Sequence, residues 1–95
     1  MKLITVEAAF AASDLQAAMT LFEDQAETVR NMDGCHHYAL FSRPSGDGVA
    51  ILQHWDSMEA FDAYRASETF ATLGQGLRPM MTSPPVTVVA EFDTH

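Results

Sequence analysis

Trp55, Phe61, Tyr64 and Phe70 follow one another closely enough to share one wall of a fold. The side chains able to move a proton beside them are Glu7, His37 and His54. A strand carboxylate facing an apolar cavity has its pKa raised toward that of a useful base, and imidazole titrates at about 6.5. Tyr64 is the poorer base, since an unperturbed phenol ionises at about 10. Each of these residues also has a structural reading. Trp55 can be a core aromatic whose indole N–H finds a partner, Glu7 a solvated strand carboxylate, and Met19, Met58, Met80 and Met81 ordinary core packing rather than a malleable lining.

Metal and cofactor chemistry find little support. His36 and His37 are neighbours on a strand and point to opposite faces, so they cannot chelate one ion together. His54 across a hairpin could join one of them, which leaves two ligands without a clear third. Cys35 is the only cysteine, so neither an internal disulfide nor a thiolate zinc site can form. A buried, inert thiol is expected there. No Gly-rich phosphate loop is present, and no cofactor or metal is expected.

The elements that must position these residues can be read in order. Lys2 to Phe10 alternates, with Ile4, Val6, Ala8 and Phe10 on its more apolar side and Glu7 on the other. From a cap at Ser13 or Asp14, the residues Leu15, Ala18, Met19, Phe22, Ala26 and Val29 recur at helical spacing. That helix stops at Gly34, which can supply left-handed backbone. Cys35 to Ser42 reads as a strand, with Cys35, His37, Ala39 and Phe41 on one face. The turn Arg43-Pro44-Ser45-Gly46-Asp47-Gly48 returns it as an antiparallel strand ending at Trp55. Asp56 and Glu59 resemble a capping box for a helix starting at about Ser57. Ser67-Glu68 restarts a helical turn that keeps a stripe through Phe70, Leu73 and Leu77 despite Gly74 and Gly76. Pro84-Pro85 ends it, and Val86 to Phe92 follows as a closing strand; His95 is terminal and is expected to be disordered.

Strand, helix, strand, strand, helix, strand in two similar halves is the α+β, ferredoxin-like split βαβ arrangement with an antiparallel sheet, one domain over 1–95. Helices would cover one sheet face. The other face would expose an apolar patch, with Ile4, Val6, Ala8, Val86, Val88 and Leu40 available for it, so a homodimer with sheets face to face is expected. Of the 95 residues 47% are apolar, and the formal charge is −8 with only five Lys and Arg, which excludes a disordered acidic tail and a nucleic-acid groove. The same charge disfavours anionic membranes. Neither a signal-peptide hydrophobic region nor a membrane-spanning run is seen, and a cytoplasmic protein is the simplest reading.

Gly34-Cys35-His36-His37-Tyr38, Trp55 followed by a helix with Ala60 and Tyr64, Ser67-Glu68-Thr69-Phe70, and Met80-Met81-Thr82-Ser83-Pro84 together resemble the antibiotic biosynthesis monooxygenase family of dimeric α/β barrels, which includes quinol monooxygenases. The resemblance covers nearly the whole chain. It implies a pocket between sheet and helices in which a quinol or hydroxylated aromatic reacts with O2, in several members without metal, flavin or haem. Trp55 matches the family's strand-end tryptophan, but Ile51 stands where some members carry an asparagine, and Tyr64 where many carry a histidine. In a haem-degrading branch of the fold the reacting positions correspond to Glu7, Tyr64 and Gly74, none of which is the required residue. Haem degradation is therefore not implied. The resemblance points to a cofactor-independent monooxygenase, with Glu7, His37 or His54 as base and Trp55, Tyr64, Phe61 and Phe70 as pocket walls. A ligand-binding module or an isomerase on the same dimer is the alternative.

Overall fold

The computed structural model describes residues 1–92, so His95 lies outside the described chain. Strand β1 spans Lys2–Ala9, helix α1 Leu15–Arg30 after a short 3-10 turn, β2 Cys35–Ser42 and β3 Gly48–Trp55. Helices α2, Met58–Arg65, and α3, Glu68–Leu77, then precede a 3-10 turn at Arg78–Met80 and β4, Val86–Glu91. The strands form one four-stranded sheet in the order β2-β3-β1-β4, every pair antiparallel. This is the expected ferredoxin-like α+β arrangement. Among the described residues no helix is long and apolar enough to cross a membrane.

Pairing register and pleat divide the sheet into two unlike faces, because paired residues point the same way and successive residues alternate. Tyr38, Gln53, Ile4 and Val89 form one row across all four strands of the helix side, and Leu40, Ile51, Val6 and Thr87 form the next. Ile4, Ala8, Val49, Ile51 and Trp55 are buried there against Ala18, Phe22, Val29, Phe61, Leu73 and Leu77. Full burial of a Val, Leu, Ile or Phe side chain contributes about 1.5–3 kcal/mol, so this layer carries most of the fold's stability. On the opposite side the rows are His37, His54, Leu3, Ala90; then Ala39, Leu52, Thr5, Val88; then Phe41, Ala50, Glu7, Val86. Among the described residues no element covers that side, and Phe41, Val86 and Val88 are each more than half exposed.

Three local expectations are corrected. Ile4, Val6, Ala8 and Leu40 belong to the helix-covered face rather than the open one. Both sides of β1 carry apolar residues, and the packing of the helices decides which is buried. Cys35 and His37 do not share a face, because a β-bulge at His36 shifts the register between them: Cys35 pairs with Trp55 and His37 with His54. The cap of α2 is Ser57, whose hydroxyl accepts from the Ala60 N–H at 3.2 Å, and not Asp56. The Asp56 carboxylate is instead held by His36 Nε2 at 2.5 Å. Ser67 caps α3 in the same way, accepting from the Phe70 N–H at 3.2 Å.

Gly34 makes the α1–β2 turn possible. Its φ of +85° lies in left-handed space, and a Cβ there would sit 2.7 Å from the Ala60 Cβ. Its carbonyl accepts from the Asp56 N–H at 2.8 Å, which ties the start of β2 to the entry of α2.

Candidate functional site

A cavity of about 280 Å³ lies between the helix-covered face of β1 and β3 and helices α2 and α3. This is close to the lower limit of about 300 Å³ for small-molecule sites, room for one or two aromatic rings. The sheet supplies Val6, Ala8, Ile51 and Gln53; α2 supplies Phe61, Tyr64 and Arg65; α3 supplies Phe70, Leu73 and Leu77. Arg65, Arg78 and Pro85 also line it and are exposed, so they mark its mouth. Met81 fits the expected malleable lining, whereas Met19, Met58 and Met80 pack against the core.

The aromatic cluster is ordered from the sheet outward. Trp55 is fully buried, with its ring stacked on Tyr64 at a centroid distance of 5.4 Å and an interplanar angle of 18°. Phe61 lies 6.1 Å from Trp55, and Phe70 meets Tyr64 edge-on at 5.2 Å. Phe61, Tyr64 and Phe70 line the cavity as the sequence suggests, but Trp55 stands one layer behind them. Its indole N–H donates to Gln53 Oε1 at 2.9 Å.

Gln53 is the polar residue that sequence reasoning passed over. It is only 2% exposed and the only buried polar side chain among the described residues, yet it lines the cavity. An indole N–H can only donate, so it must meet the amide oxygen. The Gln53 NH2 group then has no protein acceptor among the described residues and is available to a ligand. The available signal was an amide on the buried parity of a strand, two residues before Trp55 on the same face.

Tyr64 and Tyr38 are donors at neutral pH. Burial raises the Tyr64 phenol above its ordinary value. Burial, helped by the neighbouring Tyr64, pushes Tyr38 far higher. The Tyr38 hydroxyl is buried without a partner among the described residues, and its ring lies edge-on to Tyr64 at 6.5 Å.

The sheet separates Glu7, His37 and His54 from this cluster. All three belong to the open face, which alternation makes the reverse side of the wall that holds Gln53. Glu7 is exposed, with Arg43 3.8 Å away. The His37 and His54 rings lie 4.9 Å apart, and Phe92 packs on His54 at the same distance. Burial, then the nearby His37 and His36, lower the His54 pKa. Cys35 is only partly buried, and that burial raises its thiol pKa. Among the described residues no group of three His, Cys, Asp or Glu could hold a metal.

Comparison with known proteins agrees with this fold. A family model described as antibiotic biosynthesis monooxygenase matches residues 3–74. No curated protein matches the chain. Among solved structures, one described as an antibiotic biosynthesis monooxygenase superposes with a TM-score of 0.90 at 17% identity, over 99% of this chain and 100% of that one. Rv0793 from Mycobacterium tuberculosis gives 0.89 at 20% identity, over 98% of this chain and 96% of its own. PA3566 from Pseudomonas aeruginosa gives 0.87 at 13% identity, over 98% and 94%. At these identities the superpositions establish the fold, and the family model, which spans most of the sequence, establishes the lineage: the chain belongs to the antibiotic biosynthesis monooxygenase family.

Proposed function

We propose that the protein is a cofactor-independent monooxygenase that oxidises a quinol or hydroxylated aromatic with O2 in the cavity between its sheet and α2 and α3. The observation that carries this reading is the buried Gln53 amide, fixed by Trp55 and facing an aromatic cavity. The substrate ring packs among Phe61, Tyr64 and Phe70. Its hydroxyl ionises, and the resulting anion gives an electron to O2. The two radicals combine through a ring carbon to form a C–O bond, and loss of water from the hydroperoxide leaves a carbonyl there. One oxygen atom is retained, the other leaves as water, and the substrate supplies all the electrons.

The protein's share is placement and charge stabilisation. Donors already aimed at the position where negative charge grows on oxygen need no reorganisation during the reaction. The Gln53 NH2 group is such a donor, and Trp55 acts through it as a positioning residue. No carboxylate or imidazole lines the cavity among the described residues, so the hydroxyl proton leaves to solvent at the mouth. The open face is proposed to receive a second copy of the chain, with Phe41, Val86 and Val88 buried between two sheets. Glu7, His37 and His54 then serve that contact rather than proton transfer.

Oxygen uptake by metal-stripped protein against hydroquinones, naphthoquinols and polyphenols tests the reading, with heat-inactivated protein correcting for autoxidation. Consumption above that background supports it. No consumption across the panel transfers the cavity to a binding or isomerase role.

A further inference from the structure

The chain has thirteen carboxylates against five Lys and Arg, so any cation should find a partner easily. Four do. Lys2 pairs with Glu91, Arg30 with Glu27, Arg43 with Asp47 and Glu7, and Arg65 with Asp62. Among the described residues Arg78 has no carboxylate within ion-pair distance, and it stands at the cavity mouth. The ordinary role of a cation at a helix C-terminus, facing the last carbonyls, accounts for its place in sequence. It does not account for where the side chain lies. Arg78 folds back over its own helix onto Gly74, where a Cβ would stand 3.2 Å from the guanidinium nitrogen. Gly74 also lines the cavity, so the bare backbone there leaves the space that the guanidinium occupies. Gly74 weakens α3 as a helix, and that cost coincides with the seat of a cation that no carboxylate among the described residues pairs. Arg65 flanks the same mouth, 4.9 Å over the Phe61 ring, and among the described residues no acidic side chain lines the cavity. A protein of net charge −8 therefore presents a locally positive entrance to an aromatic pocket.

We infer that Arg78 is the anion-recognising residue of the cavity, its guanidinium binding a carboxylate or phenolate oxygen carried by the aromatic ligand. The inference rests on the cavity being the aromatic site proposed above, and it names the substrate class: an acidic aromatic rather than a neutral one. A planar guanidinium suits this, since it binds a carboxylate through two parallel N–H bonds and is always charged.

Binding of 1-naphthoate and its neutral isostere 1-naphthamide, neither of which needs to turn over, separates the two readings. Isothermal titration should show naphthoate bound about tenfold more tightly, and Arg78→Gln should abolish that preference while leaving naphthamide affinity within about twofold. Arg78→Lys should keep part of it. Gly74→Ala, a change that favours the helix, should weaken the preference by displacing the guanidinium. Spectroscopic pH titration of bound 1-naphthol identifies the source of the anion. A lower ionisation pH in the wild type than in Arg78→Gln assigns a phenolate, and an unshifted one beside a retained naphthoate preference assigns a carboxylate. Equal affinity for naphthoate and naphthamide, or a preference untouched in Arg78→Gln, overturns the inference alone. Failure of both naphthalene probes to bind overturns the aromatic cavity as well.

Discussion

The two faces of the sheet are built from the same strands by the same alternation, and they have opposite fates. The helix side gathers Ile4, Ala8, Ile51, Gln53 and Trp55 under α1, α2 and α3 and keeps a cavity there. The open side carries Phe41, Val86 and Val88 into solvent together with Glu7 and the His37–His54 pair. Among the described residues, carboxylates and imidazoles therefore stand where there is no cavity and are lacking where there is one. A site whose lining carries Gln53, two arginines and the neutral Tyr64 phenol is suited to holding an anion and stabilising charge, and poorly suited to taking a proton.

The largest effect should come from breaking the covered side. Trp55→Ala removes a fully buried ring stacked on Tyr64 and should cost about 3–5 kcal/mol in denaturant unfolding. Trp55→Phe should cost less yet still free the Gln53 amide, separating packing from positioning. On the open side, Val88→Lys places a charge in the middle exposed row, on the edge strand β4, and should leave the monomer's unfolding nearly unchanged. Sedimentation at micromolar concentration should then show monomer where the wild type is a dimer, and a monomeric wild type would end the face-to-face proposal. Gly34→Ala must adopt a φ of +85° and push on Ala60, for an expected loss of about 1–3 kcal/mol in thermal or denaturant melts.

The smallest effect is the pH dependence of the open face. The folded-state pKa of His54 is lowered, mainly by burial and then by His37 and His36. Between the unfolded value of about 6.5 and that lower folded value, the unfolded chain binds a proton that the folded chain does not. This part of the stability is complete above about pH 6.5 and declines as pH falls through the window. His54→Gln should flatten the slope there. The remaining acid sensitivity should appear lower, where Asp47, held down by Ser45 and Arg43, and Glu91, held down by Lys2 and the N-terminus, become protonated.

Element order was legible because each element carries a local signal: the spacing of Ala18, Phe22, Ala26 and Val29, the Ser-Gly-Asp-Gly turn, and serines before α2 and α3. What was not legible is decided by neighbours distant in sequence. Alternation marks Ile4, Val6 and Ala8 as the more apolar side of β1, but only the packing of the helices shows that this side is the covered one. The bulge at His36, which reverses the faces of Cys35 and His37, has no local signature in Cys35-His36-His37. Asp56 looked like the better cap until His36 was placed beside it. The site was half legible. Phe61, Tyr64 and Phe70 follow from helical spacing, but the place of Gln53 depends on the cavity it faces, and Arg78 carries no local signal for a side chain that lies over Gly74.

The claim that chemistry belongs to the covered face is tested most directly by oxygen uptake of Gln53→Leu and Glu7→Gln, side by side with the wild type on the best substrate of the panel. Gln53→Leu should lose about a hundredfold or more in kcat, the scale of removing one preorganised donor, and Glu7→Gln should retain wild-type turnover. A Glu7→Gln variant that is dead beside an active Gln53→Leu would place the reaction on the open face and contradict the account.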